Sequence, residues 1–123
     1  MESQEGNHLK NQNLKFAKEK SFHKMKLQKG HTVMDFGSGE GKDLNQLSSL
    51  VEQHGEVWAV DHDPLMIKQS IINNTKSNVR FLKSSSERLN FRDNFFSSIR
   101  AQNVFEHLEN ISETTNELIR VLR

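Results

Sequence analysis

The hydrophobic pattern switches repeatedly between short apolar runs and stretches with helical spacing. Residues Thr32 to Phe36 and Val57 to Val60 are nearly continuous apolar runs, the form taken by strands buried on both faces. Val79 to Lys83 and Ser97 to Ala101 are the third and fourth strand candidates. Between these runs the period changes. From Lys42 to Gln53, Leu44, Leu47 and Val51 recur at helical spacing, so that face is expected against a sheet while Asn45, Ser48 and Glu52 meet water. Gly55 ends this helix. Asp63 makes a good N-cap and Pro64 a good first helical residue, since the N–H that proline lacks would be unpaired there; the helix is expected to reach about Asn73. Ile111 to Leu122 repeats the helical pattern, with Ile111, Leu118, Ile119 and Leu122 on one face. Ahead of the first strand, Leu9 to Leu27 reads as a lysine-rich helix carrying Leu14, Ala17 and Met25 and stopped by Gly30. Residues 1–13 are expected to be a polar, disordered lead, and 14–123 a single partial domain without repeats or an internal boundary.

Alternating strands and helices predict an α/β fold whose parallel strands are joined by right-handed crossovers. In open sheets of this kind ligands bind at the carboxyl ends of the strands, near the point where strand order reverses. The first and fourth strands are expected to flank that point.

The first strand leads at that end into Asp35-Phe36-Gly37-Ser38-Gly39-Glu40-Gly41, where glycines occupy alternate positions of a tight turn. Glycine lets the backbone approach a ligand closely and take positive φ. A second acid, Asp61, closes the neighbouring strand, where a carboxylate can accept hydrogen bonds from the vicinal hydroxyls of a ribose. A nucleoside-containing ligand follows. Familiar phosphate loops do not fit. The dinucleotide fingerprint requires glycine where Lys42 stands, and the Walker loop requires glycine at Phe36 and a hydroxyl residue at Asp43. Asp35-Phe36-Gly37 matches the kinase metal-binding triplet by coincidence, because no His-Arg-Asp loop precedes it.

Composition narrows the classes. At 123 residues and 33% apolar content the chain is at most one small domain. A net charge of +1 gives no basic field for nucleic acid or a membrane surface. The absence of cysteine excludes disulfides, thiol nucleophiles and zinc–thiolate sites. No apolar run approaches the roughly 18 residues of a membrane span, so a cytoplasmic protein is expected. Asp61-His62-Asp63 is no metal site, because successive residues at a strand end point in opposite directions.

The Asp-x-Gly-x-Gly-x-Gly turn resembles motif I of class I S-adenosylmethionine-dependent methyltransferases. The likeness extends along most of the chain. Val57-Trp58-Ala59-Val60-Asp61-His62-Asp63-Pro64-Leu65-Met66 is similar to the family's second strand, its ribose acid and the start of the next helix. Residues Glu87 to Phe96 resemble a stretch that commonly reads glutamate, acid, leucine, proline, phenylalanine, then Asp-Asn-Ser-Phe. Asn103-Val104-Phe105-Glu106-His107-Leu108-Glu109 and Glu117-Leu118-Ile119-Arg120-Val121-Leu122-Arg123 resemble segments of the type 11, ubiquinone/menaquinone-like branch.

The resemblance implies a Rossmann-like sheet, S-adenosyl-L-methionine as cofactor, and methyl transfer to a small-molecule acceptor. It assigns Gly37, Ser38 and Gly39 to the methionine and ribose portion, Asp35 to orienting the turn and the cofactor's amino group, and Asp61 to the ribose. His62 would lie along the adenine. Ser85, with Ser86 beside it, stands where relatives place an aspartate for the adenine amino group, and a hydroxyl accepts that hydrogen bond more weakly. Ser97 replaces the aspartate that usually opens the fourth strand. Arg100 puts a charge inside that strand, with a precedent in one sub-branch. Gln102 and Asn103 would line the methyl pocket. His107 is a candidate general base, although a packing role is preferred for it. Phe91, Phe95 and Phe96 read as core.

The family domain continues with a fifth strand, a helix and a hairpin beyond the equivalent of Arg123. The fold is therefore expected to be truncated after the fourth strand and its following helix. That fourth strand would be an exposed edge through which two copies could pair. The second reading is a non-catalytic module that binds the cofactor or a partner.

Overall fold

The computed structural model describes residues 14–15, 25–85, 87–101 and 108–123. Five strands, β1 (Leu14–Lys15), β2 (Thr32–Phe36), β3 (Glu56–Asp61), β4 (Val79–Lys83) and β5 (Ser98–Ala101), alternate with helices α1 (Leu44–Val51), α2 (Pro64–Asn73) and α3 (Ile111–Val121). The strands form one sheet in the order β1-β5-β2-β3-β4, and every pairing is parallel. This is the α/β, Rossmann-like architecture the alternation predicts. From Thr32 onward the strands and helices read from the pattern fall where expected, within a few residues at their ends.

Side chains on the two faces of the sheet separate into two cores, as the period of a strand requires. Val33, Val57, Ala59 and Val79 pack with Leu44, Leu47 and Val51 of α1. On the other face, Met34, Phe36, Val60, Ile99 and Ala101 pack with Leu118, Val121 and Leu122 and with the crossing segment between β4 and β5. That segment contributes Leu89 and an aromatic cluster. Phe96 is core as expected, while Phe91 and Phe95 are half-buried against it; Phe91 stands edge-on to Trp58 at 5.1 Å and to Phe96 at 4.8 Å. Arg120 straps the segment to α3, donating to the carbonyls of Leu89 at 2.7 Å and Phe91 at 2.8 Å. Glu117 completes the strap by accepting from the Leu89 N–H at 2.8 Å.

The end of α3 is laced to the start of β5. Phe96 N–H donates to Val121 O at 2.8 Å, and Arg123 N–H donates to Phe96 O at 2.9 Å. Asp63 caps α2 through its side chain, which accepts from the Leu65 N–H at 2.9 Å, with Pro64 at the first helical position. No helix among the described residues is long and apolar enough to cross a membrane.

Four expectations change. Leu14–Lys15, read as part of a helix from Leu9 to Leu27, forms a strand against β5, with Leu14 opposite Ile99 and Lys15 opposite Arg100. Residues 16–24 of that segment lie outside the described set. The outer N–H and C=O groups of β5 supply the pairing that overrides a moderate helical pattern, so the fourth strand of the sequence reading is not a bare edge. Ser48 is buried, not water-facing: its hydroxyl pairs with Asn78 Oδ1 from the loop before β4. The buried face of α3 is Thr114, Leu118 and Val121, while Ile111 is exposed, because the helix meets the sheet about one turn past its start.

Candidate functional site

β2 and β5 lie side by side with Phe36 opposite Ala101, and β3 lies on the other flank of β2. The chain thus leaves β2 in one direction and returns on the opposite side, which opens a crevice at the strand ends. The glycine turn fills the mouth of that crevice, with φ of +73° at Gly37, +58° at Gly39 and +77° at Gly41. At Gly39 an added Cβ would meet nothing within 4 Å, so the backbone there faces open space.

The turn's amides are already taken. Gly37 N–H donates to Val60 O at 2.7 Å, Ser38 N–H to the same oxygen at 3.3 Å, and Gly41 N–H to Ser38 O at 3.1 Å. Gly39 N–H donates to Asp61 Oδ2 at 3.0 Å. A phosphate loop works by turning such amides towards the anion; these four are bonded inward to the protein, in agreement with the sequence's departure from both phosphate fingerprints.

Asp61 closes β3 and is buried. Its Oδ1 accepts from the Asp63 N–H at 3.0 Å, so each oxygen holds one backbone amide. A carboxylate oxygen has two acceptor positions, which leaves capacity for two hydroxyl donors. His62 is exposed beside it, with Nδ1 3.5 Å from Asp61 Oδ1.

Asp35 and Arg100 occupy the face of the sheet that α1 covers, one strand apart and directly in register. Arg100 Nη1 donates to Asp35 Oδ1 at 3.3 Å, and Nη2 donates to Asp43 Oδ2, at the N-cap of α1, at 2.9 Å. Burial pushes the Asp35 carboxyl up from 3.8 to about 6, outweighing the opposing pull of Arg100. These residues border a hollow of about 360 Å³ lined also by Gly37, Ser38 and Lys42. Ser38 Oγ is buried with no hydrogen-bond partner among the described residues.

Asp35, Gly37, Ser38, Gly39 and Asp61 are therefore brought together at the strand ends. Ser85 follows the end of β4 and is exposed, while Ser84 N–H ties that end to Asp61 O at 3.0 Å. Ser86, Gln102, Asn103 and His107 lie outside the described residues. Ser97 sits at the opposite end of β5, where its hydroxyl accepts from the Thr32 N–H at 3.1 Å; its replacement of an acid is remote from the glycine turn. Sequence reading missed Asp43 as a partner of Arg100. It also missed the end of α2, which bonds the turn through Ser70, Asn73 and Asn74. Among the described residues there is no group of three His, Asp or Glu that could hold a metal ion.

Residues 34–123 match the methyltransferase domain family. Over 101 residues the chain is 29% identical to the ubiquinone/menaquinone biosynthesis C-methyltransferase of Azotobacter vinelandii, covering 79% of this chain and 40% of that enzyme. A SAM-dependent methyltransferase from Aquifex aeolicus superposes with a TM-score of 0.74 at 32% identity, over 79% of this chain and 53% of that one. The YcgJ protein of Bacillus subtilis superposes at 0.72 with 27% identity, over 79% and 42%. The chain thus spans about 40% of the curated relative and about half of the first structural one. The order of its strands, the acid-flanked glycine turn and these likenesses agree: the chain belongs to the type 11 family of class I methyltransferase domains, whose cofactor is S-adenosylmethionine.

Proposed function

We propose that this chain holds S-adenosylmethionine at the glycine turn and serves methyl transfer to a small-molecule acceptor. The observation that carries the reading is the Asp61 carboxylate, fixed by the Gly39 and Asp63 amides with acceptor capacity to spare. The residues fit the group. Asp61 offers acceptors for two ribose hydroxyls, Gly39 leaves room for close approach, and the amides engaged inward suit a ligand without phosphate.

The cofactor supplies an activated methyl on a sulfonium. The protein's part is positioning. Asp61 would anchor the ribose and His62 would flank the adenine. Ser85 and Ser86 would accept from the adenine amino group, and Gln102 would border the methyl. Asp35 and Ser38 would face the amino-acid end, where the hollow beside Arg100 carries both signs of charge. Where the acceptor must lose a proton, His107 is the sequence's candidate base. A second copy pairing along β5 would have to displace Leu14–Lys15.

Calorimetry of the purified chain with S-adenosylhomocysteine, alongside transfer of labelled methyl to a panel of phenols and quinols, tests the reading. One molecule bound per chain is expected, and no binding sinks the proposal. Binding without turnover favours the second reading, a non-catalytic cofactor-binding module.

A further inference from the structure

The glycine turn is gripped from behind by the end of α2. Ser70 Oγ donates to Gly39 O at 2.7 Å, Asn73 Nδ2 to Glu40 O at 3.1 Å, and Asn74 Nδ2 to Gly41 O at 3.1 Å. We infer that Ser70, Asn73 and Asn74 are positioning residues for the cofactor, acting by holding three successive carbonyls of the turn so that its backbone keeps the shape on which the cofactor would rest. The inference rests on the proposed cofactor reading of that turn.

Three features separate this clasp from ordinary helix packing. An amphipathic helix normally buries an apolar stripe. The fully buried residue of α2 is Ser70, with Met66 and Ile67 half-buried, while Leu65, Ile71 and Ile72 are exposed. The most buried position of the helix is thus given to a polar contact with the turn. Next, Asn74 is buried with Nδ2 donating to both Gly41 O and Ser70 O, yet its Oδ1 has no partner among the described residues. A buried acceptor left unpaired is unfavourable, so the side chain's value at this position lies in its donors. Finally, the fit is tight. A Cβ on Gly41 would lie 2.8 Å from both Ser70 Oγ and Asn74 Nδ2, so a change in the clasp is passed directly to the turn.

Holding the carbonyls fixes the peptide planes that carry the Glu40, Gly41 and Lys42 N–H groups, with Gly41 N–H on Ser38 O. The turn then needs no ordering when the ligand arrives, which is how a preorganised site gains affinity. Asn73 matters for the test because its bond to Glu40 O is exposed and contributes little to the core.

The test uses the full chain with S-adenosylhomocysteine as probe, read by calorimetry, urea midpoint and amide hydrogen exchange. Ser70→Ala should raise Kd about tenfold, equivalent to about 1.4 kcal/mol, and Asn73→Ala about threefold. The Asn73→Ala midpoint should be unchanged, and Asn73→Gln, which keeps the carboxamide, should recover most of the affinity. Exchange of the Gly41 amide, which donates to Ser38 O, should quicken in both alanine variants while β2 and β3 stay protected. Native Kd in both, or weakened binding with native exchange in the turn, overturns the inference. If Ser70→Ala does not fold, Asn73→Ala decides. Failure of the native chain itself to bind removes the cofactor reading and this inference with it, whereas native binding with unaffected variants removes the inference alone.

Discussion

Asp35 and Arg100 face each other across adjacent parallel strands, 3.3 Å apart, with both side chains 4% exposed. Desolvation dominates this pair. It raises the Asp35 carboxyl to about 6 although a guanidinium touches it. The folded protein therefore retains a proton at Asp35 that the unfolded chain releases nearer 3.8. Stability from this group is complete at low pH and is lost as pH rises through about 6. The urea-derived stability of the native chain relative to Asp35→Asn should fall by on the order of 1–3 kcal/mol between about pH 4 and pH 7. A difference that stays flat over that range would show that Asp35 is ionised throughout.

Asp61→Ala removes the acceptor for two backbone amides and for the ribose. Affinity for S-adenosylhomocysteine should drop by about a hundredfold or more, as expected for losing charge-assisted hydrogen bonds. Asp61→Asn keeps one oxygen and should cost about tenfold. Calorimetric titration reads both, and an unchanged affinity in Asp61→Ala removes the ribose assignment.

Two glycines of one turn should answer differently to alanine. At Gly41 a methyl meets Leu44 Cδ1, Ser70 Oγ and Asn74 Nδ2, each at 2.8 Å, with φ at +77°. Gly41→Ala should destabilise by about 2–4 kcal/mol from strain and overpacking together. Gly39→Ala meets open space at φ +58° and should cost about 1 kcal/mol of stability, yet it intrudes where the ligand approaches. Denaturant midpoints should therefore rank Gly41→Ala as less stable, while Gly39→Ala should lose more affinity relative to its loss of stability. The reverse ranking would mean that the open side of the turn is not the ligand side.

Arg120 spans Leu89 O, Phe91 O, Asp93 and Glu117, and its hydrogen bonds with Glu117 hold that carboxyl below its ordinary range. Replacement by alanine should destabilise by about 2–3 kcal/mol, discounted for partial exposure. Lysine should recover little, because one ammonium cannot reproduce the fork. Trp58, the single tryptophan, packs against Phe91 and should report release of the strap by a red-shifted emission. An Arg120→Lys chain as stable as the native one would show that charge alone does the work.

What the sequence disclosed follows from local physics. β3 was legible because Val57 to Val60 is apolar at consecutive positions, β2 because its run is broken only by Asp35, and α2 because Asp63-Pro64 states its start. Asp35, Gly37, Gly39 and Asp61 were legible because their spacing places them at two neighbouring strand ends. Arg100 with Asp43 was not, since that contact joins residues 57 positions apart and depends on strand register. Ser70 and Asn74 resemble ordinary polar residues at a helix end until the turn is seen behind them. Leu14–Lys15 was misread because an edge elsewhere in the sheet, not the segment's own pattern, decides its conformation.

The lacing of Leu122 and Arg123 to Phe96 places the end of α3 at the rim at which the strands begin, opposite the rim that carries the glycines. A fluorophore or surface linker joined to an exposed side chain of that rim stands away from the glycine turn. Immobilisation through that point would leave the crevice facing bulk solvent, so surface-based titrations can be run on tethered protein without obstructing ligand entry.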